Sequence, residues 1–164
     1  EIGVLYLNAY NQAVLQKIFR ESGLVFTPLF ECGIYAYMSK NNPLAGKSSV
    51  TMEELNDYPC LAFAQGENNS FYYAEEVLST YAYKQLVRAN DRATMLNLMV
   101  GINGYTLCSG IICEELNGSA FCAVKLETDE KMTIGYIARK ASVMSEMGNK
   151  FLEELSKYKD KVLA

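Results

Sequence analysis

Apolar positions along this chain recur in two rhythms, unbroken or alternating runs and stripes at spacings of three and four, and together they predict alternating strands and helices. Residues 2–7 are almost continuously apolar, which predicts a strand covered on both faces of a parallel sheet. Asn8 or Asn11 then caps a helix through Arg20 whose inner face is Val14, Leu15, Ile18 and Phe19, and Gly23 stops it. Residues 24–38 resume as extended chain, too long for one typical strand, interrupted by Pro28 and carrying Gly33. The stretch 90–110 is the centre of the pattern. Asn90 or Asp91 caps a helix with Met95, Leu98, Met99 and Ile102 on one face. Gly101 and Gly104 end it with backbone that glycine adopts cheaply, and residues 105–108 restart at once as a strand whose far end, Cys108-Ser109-Gly110, opens toward a crevice.

The remaining segments follow the same grammar. Residues 41–49 are a turn by composition, and Thr51 with Glu54 forms a capping box for a short helix ending near Asp57. Pro59 starts a strand over 60–64. Ser70 caps a predicted helix with Ala74, Val77, Leu78 and Tyr81 turned inward, which would leave the amides of Ser70, Phe71 and Tyr72 free for an anionic or carbonyl group, or simply for water. A strand over 84–89, a short helix over 111–116 and strands over 120–126 and 132–139 follow. A last helix capped by Ser145 has Met147, Phe151, Leu155, Tyr158 and Val162 as its expected inner face. The fold class is α/β with mostly parallel pairing.

Composition narrows the function more than the fold. The 164 residues carry a net charge of −4 and no clustered basic face; the terminal lysines Lys150, Lys157, Lys159 and Lys161 are interleaved with glutamates, so direct nucleic-acid binding by this segment is not expected. There is no His, which removes the commonest general base and the His-containing triads and zinc sites. Five cysteines without a CxxC pair, several within apolar runs, are expected to be reduced and structural in a cytoplasmic protein. Glu31, Glu67, Asp91 and Glu114 are the available carboxylates and Cys108 the best-placed thiol; none forms a paired catalytic motif, so no catalytic residue, metal or cofactor is expected. No apolar run approaches a membrane span, and the opening EIGVLYL starts in mid-strand, as in a fragment of a longer protein.

In their order along the chain, EIGVLYL, YAYMSKNNPLAGKSSVTMEELNDYPCLAF, NDRATMLNLMVGINGYTL and MTIGYIARKASVMSEMGNKFLEEL resemble the effector-binding domain of LysR-type transcriptional regulators. Asn42 stands where that pattern often has His before Pro43, and Ile102 and Ser109 stand where Gly and Pro are frequent. The resemblance implies a two-lobed, Rossmann-like fold like that of type 2 periplasmic binding proteins, with two crossover hinge strands near residues 35–37 and 132–134. Lobe I would be residues 1–36 plus 132–164, incomplete at its N-terminal side, and lobe II residues 37–131. The winged helix-turn-helix that contacts operator DNA would lie before Glu1.

The same resemblance implies a small-molecule effector, such as a carboxylate or aromatic acid, held between the lobes. Its expected contacts are Asn8 and Tyr10 from lobe I, Asn68, Asn69, Ser70 and Phe71 from the capped helix, and Thr106, Ser109 and Gly110 beyond the central strand, over a floor of Tyr35 and Tyr37. Arg92 is the one cation expected near them. It also implies a homo-oligomer, with residues 70–83 and 84–89 as the lobe II contact. An extracytoplasmic solute-binding protein of the same fold is the alternative.

Overall fold

The computed structural model describes residues 1–66, 70–112, 114–141 and 143–161. They divide into two compact units, Glu1–Cys32 with Glu130–Ala164, and Gly33–Asp129, so the chain passes from one to the other twice.

The first unit has a three-stranded sheet of β1 (Gly3–Leu7), β2 (Leu24–Cys32) and β9 (Met132–Arg139), with α1 (Gln12–Glu21) and α5 (Glu146–Ser156). Its order is β1-β9-β2 and both pairings are antiparallel. β1 is therefore an edge strand with Val4 exposed, not the doubly covered parallel strand that its apolar run suggested. α1 buries Leu15 and Phe19, and Gly23, at φ +66°, terminates it as expected. Pro28 has no N–H to give the ladder, and the register of β2 shifts between Pro28 and Phe30. Opposite, Gly135 leaves room for the Phe26 ring; a Cβ there would come within 2.5 Å of Phe26 Cζ.

α5 is capped by Ser145, whose Oγ accepts from the Gly148 N–H at 3.0 Å. Its inner face is the expected one only in part. Leu155 and Tyr158 are half-buried as read, but Met147 is 74 % and Phe151 48 % exposed, while Gly148 is buried and Leu152 half-buried. A Cβ on Gly148 would lie 2.7 Å from Met144 Sδ, so the small residue leaves room for the Met144 side chain. Val162 lies outside the described residues.

The second unit contains β3 (Tyr35–Ser39), β4 (Ser49–Val50), α2 (Met52–Leu55), β5 (Cys60–Phe63), β6 (Leu86–Ala89), α3 (Arg92–Gly101), β7 (Tyr105–Cys108), α4 (Glu114–Asn117) and β8 (Phe121–Leu126). The sheet order is β4-β8-β3-β7-β5-β6. β4 with β8, β5 with β7 and β5 with β6 are parallel; β3 is antiparallel to both β7 and β8. Antiparallel pairs thus outnumber parallel ones among the described residues, contrary to the mostly parallel expectation. The reason is local: β3 and β9, which lead the chain into each unit, run against both of their neighbours.

All five residues of β3 are buried, and its side chains alternate between two covered faces. One face carries Tyr37, which packs with Leu61, Ala89 and Phe121 beneath Met95 and Met99 of α3. The capping box at Thr51 forms as read, with the Glu54 N–H donating to Thr51 Oγ1 at 3.2 Å and the Thr51 N–H to Glu54 Oε2 at 3.0 Å.

The end of α3 differs from the expectation in an instructive way. Asp91 caps the helix and accepts from the Thr94 N–H at 2.9 Å, but the left-handed residue after it is Asn103 (φ +54°) rather than a glycine. Asn42, buried beside Pro43, donates from Nδ2 to the Asn103 carbonyl at 2.9 Å and accepts from the Leu44 N–H at 2.9 Å, tying the two turns together. Gly104 is needed for space: a Cβ there would stand 2.8 Å from Leu61 Cδ1.

The largest correction concerns the segment after Ser70. The predicted helix is only a 3-10 turn, Phe71–Tyr73; Ala74 is extended and Leu78 left-handed at φ +56°. Ala74 and Val77 are buried as read, but in irregular chain. The Phe63 N–H donates to Glu76 Oε1 at 2.8 Å, and Tyr83 Oη to the Leu78 carbonyl at 3.0 Å. The first bond ties the segment to β5 and the second closes it on itself, both through side chains rather than a helical ladder. Among the described residues no helix is long and apolar enough to cross a membrane.

Candidate functional site

Asn8 and Asn11 close the loop between β1 and α1 on each other. Asn8 Oδ1 accepts from the N–H groups of Tyr10 (3.1 Å) and Asn11 (2.9 Å), while Asn11 Oδ1 accepts from the Asn8 N–H at 2.9 Å and Asn11 Nδ2 donates to the Tyr6 carbonyl at 3.2 Å. The reciprocal arrangement fixes the loop and presents Tyr10, nearly half of it exposed.

In the second unit the end of β7 folds back over β3. The Gly110 N–H donates to Cys108 Sγ at 3.3 Å and the Ile111 N–H to Ser109 Oγ at 3.4 Å, so both side chains are spent within the turn. Gly110 has φ +77°, and a Cβ on it would be 2.6 Å from Cδ2 of Tyr35. Tyr35 is therefore the buried floor of this turn rather than an open surface.

Tyr37 and Thr106 are direct partners across β3 and β7, which places them on one sheet face. Tyr37 is buried, its ring tilted against Phe121 at 5.6 Å between centroids. Neither Tyr37 Oη nor Thr106 Oγ1 makes a hydrogen bond of normal geometry. Burial raises the Tyr37 pKa, and the nearby Arg92 guanidinium and Asn117 side chain oppose that shift. Arg92, at the start of α3, in turn donates to Asn117 Oδ1 at the end of α4.

Ser70 and Phe71 occupy the exposed 3-10 turn, where Ser70 Oγ accepts from the Tyr72 N–H at 3.4 Å; three residues are too few for the helix-terminal amide site that a full helix would have formed. Asn68 and Asn69 lie outside the described residues, as do Glu67 and Cys113. Of the expected ligand residues, the structure thus brings together Tyr35 with Ser109 and Gly110, and Tyr37 with Thr106. Asn8 and Tyr10 belong to the other unit.

Two polar side chains with clear roles were not singled out from sequence. Asn117 reaches Arg92 from a four-residue helix, too short for periodicity to orient. Glu76 is a half-buried carboxyl held by the Phe63 N–H, and burial raises its pKa; the apolar spacing around it gives no sign of that bond.

Burial works against activation of the buried cysteines. Cys32, Cys60, Cys108 and Cys122 are free thiols, and burial pushes Cys60 up to about 12 and Cys32 up to about 11. No group of three or more Cys, Asp and Glu side chains is placed to hold a metal among the described residues. Hydroxyls, carboxamides and a guanidinium instead form a set suited to recognition by hydrogen bonding.

The effector-binding domain of QuiR in complex with shikimate has the same fold: the TM-score is 0.59 at 16 % identity, covering 98 % of this chain and 73 % of that one. The reduced form of OxyR aligns with TM-score 0.60 at 17 % identity, over 97 % of this chain and 70 % of OxyR. HinK, a LysR family transcriptional regulator from Pseudomonas aeruginosa, aligns with TM-score 0.61 at 13 % identity, over 96 % of this chain but only 52 % of HinK. No functionally curated protein matches the sequence. The family pattern of the LysR substrate binding domain runs through residues 8–159, across both units and nearly end to end. The chain therefore belongs to the LysR substrate-binding-domain family, and its α/β architecture is that family's periplasmic-binding-protein-like fold.

Proposed function

We propose that this chain is the ligand-sensing part of a LysR-type transcriptional regulator, and that a small metabolite held between its two units modulates DNA binding by the full-length protein. The two units then correspond to lobe I and lobe II, and the crossover strands near residues 35–37 and 132–134 are the hinge. The observation that carries this reading is the single family match spanning both units, since a fold shared across both is what a ligand-controlled two-lobed sensor requires. The ligand would shift the population of lobe arrangements in proportion to its differential affinity for them. Its contacts in this reading are Asn8 and Tyr10 on one side, with Thr106, Ser109, Gly110 and the segment 68–71 on the other, above Tyr35 and Tyr37. Its chemistry would be that of a small carboxylate or aromatic acid, the chain would act as a homo-oligomer in the cytoplasm, and it would have no catalytic role.

Shikimate, which QuiR holds in its complex, and benzoate are suitable first probes. Incubation with each, with melting temperature and product formation followed together, tests sensor against enzyme. Concentration-dependent stabilisation with the probe recovered unchanged supports the sensor; conversion of the probe overturns it.

A further inference from the structure

Two asparagines of the chain are followed directly by glycine, and both lie in the second unit: Asn103-Gly104 in the turn between α3 and β7, and Asn117-Gly118 at the end of α4. Such a pair is chemically labile, because a glycine without a side chain lets its backbone nitrogen approach the preceding carboxamide carbon. The local sequences are nearly alike, each asparagine following a branched aliphatic residue, Ile102 or Leu116. Their surroundings are not. The Asn117 carboxamide oxygen accepts from the Arg92 guanidinium, and the Gly118 N–H donates to the Glu114 carbonyl at 2.7 Å. Asn103 is exposed, and neither its side chain nor the Gly104 N–H makes a hydrogen bond among the described residues. This turn is held instead through the Asn103 carbonyl, which accepts from Asn42 Nδ2 at 2.9 Å.

We propose that Asn103 is a site of spontaneous covalent modification, deamidating through a succinimide while the chain is folded, and that its contacts protect Asn117 from the same reaction. The Gly104 nitrogen gives its proton to hydroxide and attacks Asn103 Cγ. The new C–N bond closes a ring as the Cγ–Nδ2 bond breaks, and the amide nitrogen leaves as ammonia with a proton from water, which returns the hydroxide. Water then opens the ring at either carbonyl to give aspartate or isoaspartate, so the net change is one water consumed and one ammonia released, without oxidation or reduction. At Asn117 the hydrogen bonds to Glu114 and Arg92 must be given up before the ring can close. Either product at position 103 places a negative charge beyond the C-terminal end of α3, where the helix dipole disfavours it. Isoaspartate also adds a carbon to the backbone of a turn in which Gly104 is seated against Leu61, so the second unit loses stability. The inference stands apart from the sensor reading, since none of the proposed ligand contacts takes part.

The whole chain is incubated in mildly alkaline buffer, folded in one series and unfolded in urea in another, and sampled over time by peptide mapping, where the acid products are read from their mass gain. In the folded series Asn103 should convert about tenfold faster than Asn117, the rate factor that one retained hydrogen bond is worth. In urea, where only the local sequences count, the two rates should draw together. Equal rates in the folded chain, faster conversion at Asn117, no conversion at Asn103, or a preference that persists unchanged in urea overturns the proposal. Asn103→Gly tests the consequence, because glycine suits the left-handed backbone at φ +54° and removes the reacting carboxamide. The melting temperature of the parent should fall as Asn103 converts, while that of Asn103→Gly holds over the same incubation; an equal fall in both overturns the predicted loss of stability. The peptide mapping decides the site without that variant, should it fail to fold.

Discussion

Gly110 and Gly118 have nearly the same backbone, φ +77° and +75°, but different surroundings, and comparing alanine at each separates strain from packing. At Gly118 nothing lies within 4 Å of an added Cβ. A non-glycine residue in left-handed backbone costs about 1–2 kcal/mol, and the reduced freedom of the unfolded chain returns about 0.4–1 kcal/mol. Gly118→Ala should therefore lose no more than about 1.5 kcal/mol. At Gly110 the same Cβ would meet three atoms of the Tyr35 ring at 2.6, 2.8 and 2.9 Å. Tyr35 is itself buried and lies between β7 and β8, so the ring has little room to give. Overpacking of this kind adds about 1–3 kcal/mol, which brings Gly110→Ala to a total loss of about 1–4.5 kcal/mol. Both positions belong to the second unit, so one urea transition, followed by far-UV circular dichroism, reports both. Gly110→Ala should have the lower midpoint by an amount equivalent to at least about 1 kcal/mol at unchanged slope. Equal midpoints would refute the close seating of the 108–110 turn on Tyr35.

Three further outcomes follow from named contacts. Thr51→Ala removes the Oγ1 acceptor of the capping box while the residue-51 N–H still reaches Glu54 Oε2, and should cost about 1 kcal/mol, read in the same urea transition; an unchanged midpoint would show that the Thr51 hydroxyl does not hold α2. Cys60 and Cys32, whose thiols burial pushes up to about 12 and about 11, should react with a thiol reagent at neutral pH only after denaturation; prompt labelling of either in the native chain would contradict their burial. Burial raises the Glu76 pKa above its ordinary 4.5, so the native state holds that proton more tightly than the unfolded state does. Stability from this group is present below pH 4.5 and is lost as pH rises through the folded-state pKa. Glu76→Gln should flatten that part of the stability–pH curve, and an identical curve in the variant would show that Glu76 does not titrate differently on folding.

Sequence order carried the α/β class and most elements because each had a local cause. The Thr51 capping box, the Asp91 cap and the β-branched and aromatic strands fall where spacing and caps put them. What it could not carry was decided by distant partners. The direction of β1 depends on its pairing with β9, about 130 residues further on, and an apolar run reads alike in parallel and antiparallel sheets. The 70–83 segment has helical spacing, yet it is irregular chain that Glu76 ties to the Phe63 N–H of β5, 13 residues earlier. In α5 the buried position is Gly148, seated against Met144, which a pattern of large apolar residues does not reveal. In the site, Tyr35 and Tyr37 were legible as members of one strand face, and Thr106 as their neighbour by order alone. The strap of Arg92 on Asn117 joins residues 25 apart, through a side chain on a single short turn, and no periodicity points to it.

The central claim, a ligand engaging both units at once, is tested most directly by amide hydrogen exchange of the whole chain with and without a stabilising acid such as shikimate or benzoate. The account predicts slowed exchange in two separate segments on ligand addition: the Asn8–Asn11 loop of the first unit, and the turn after β7, residues 108–111, of the second. Protection confined to one unit, or spread evenly along the chain with neither segment prominent, would contradict it.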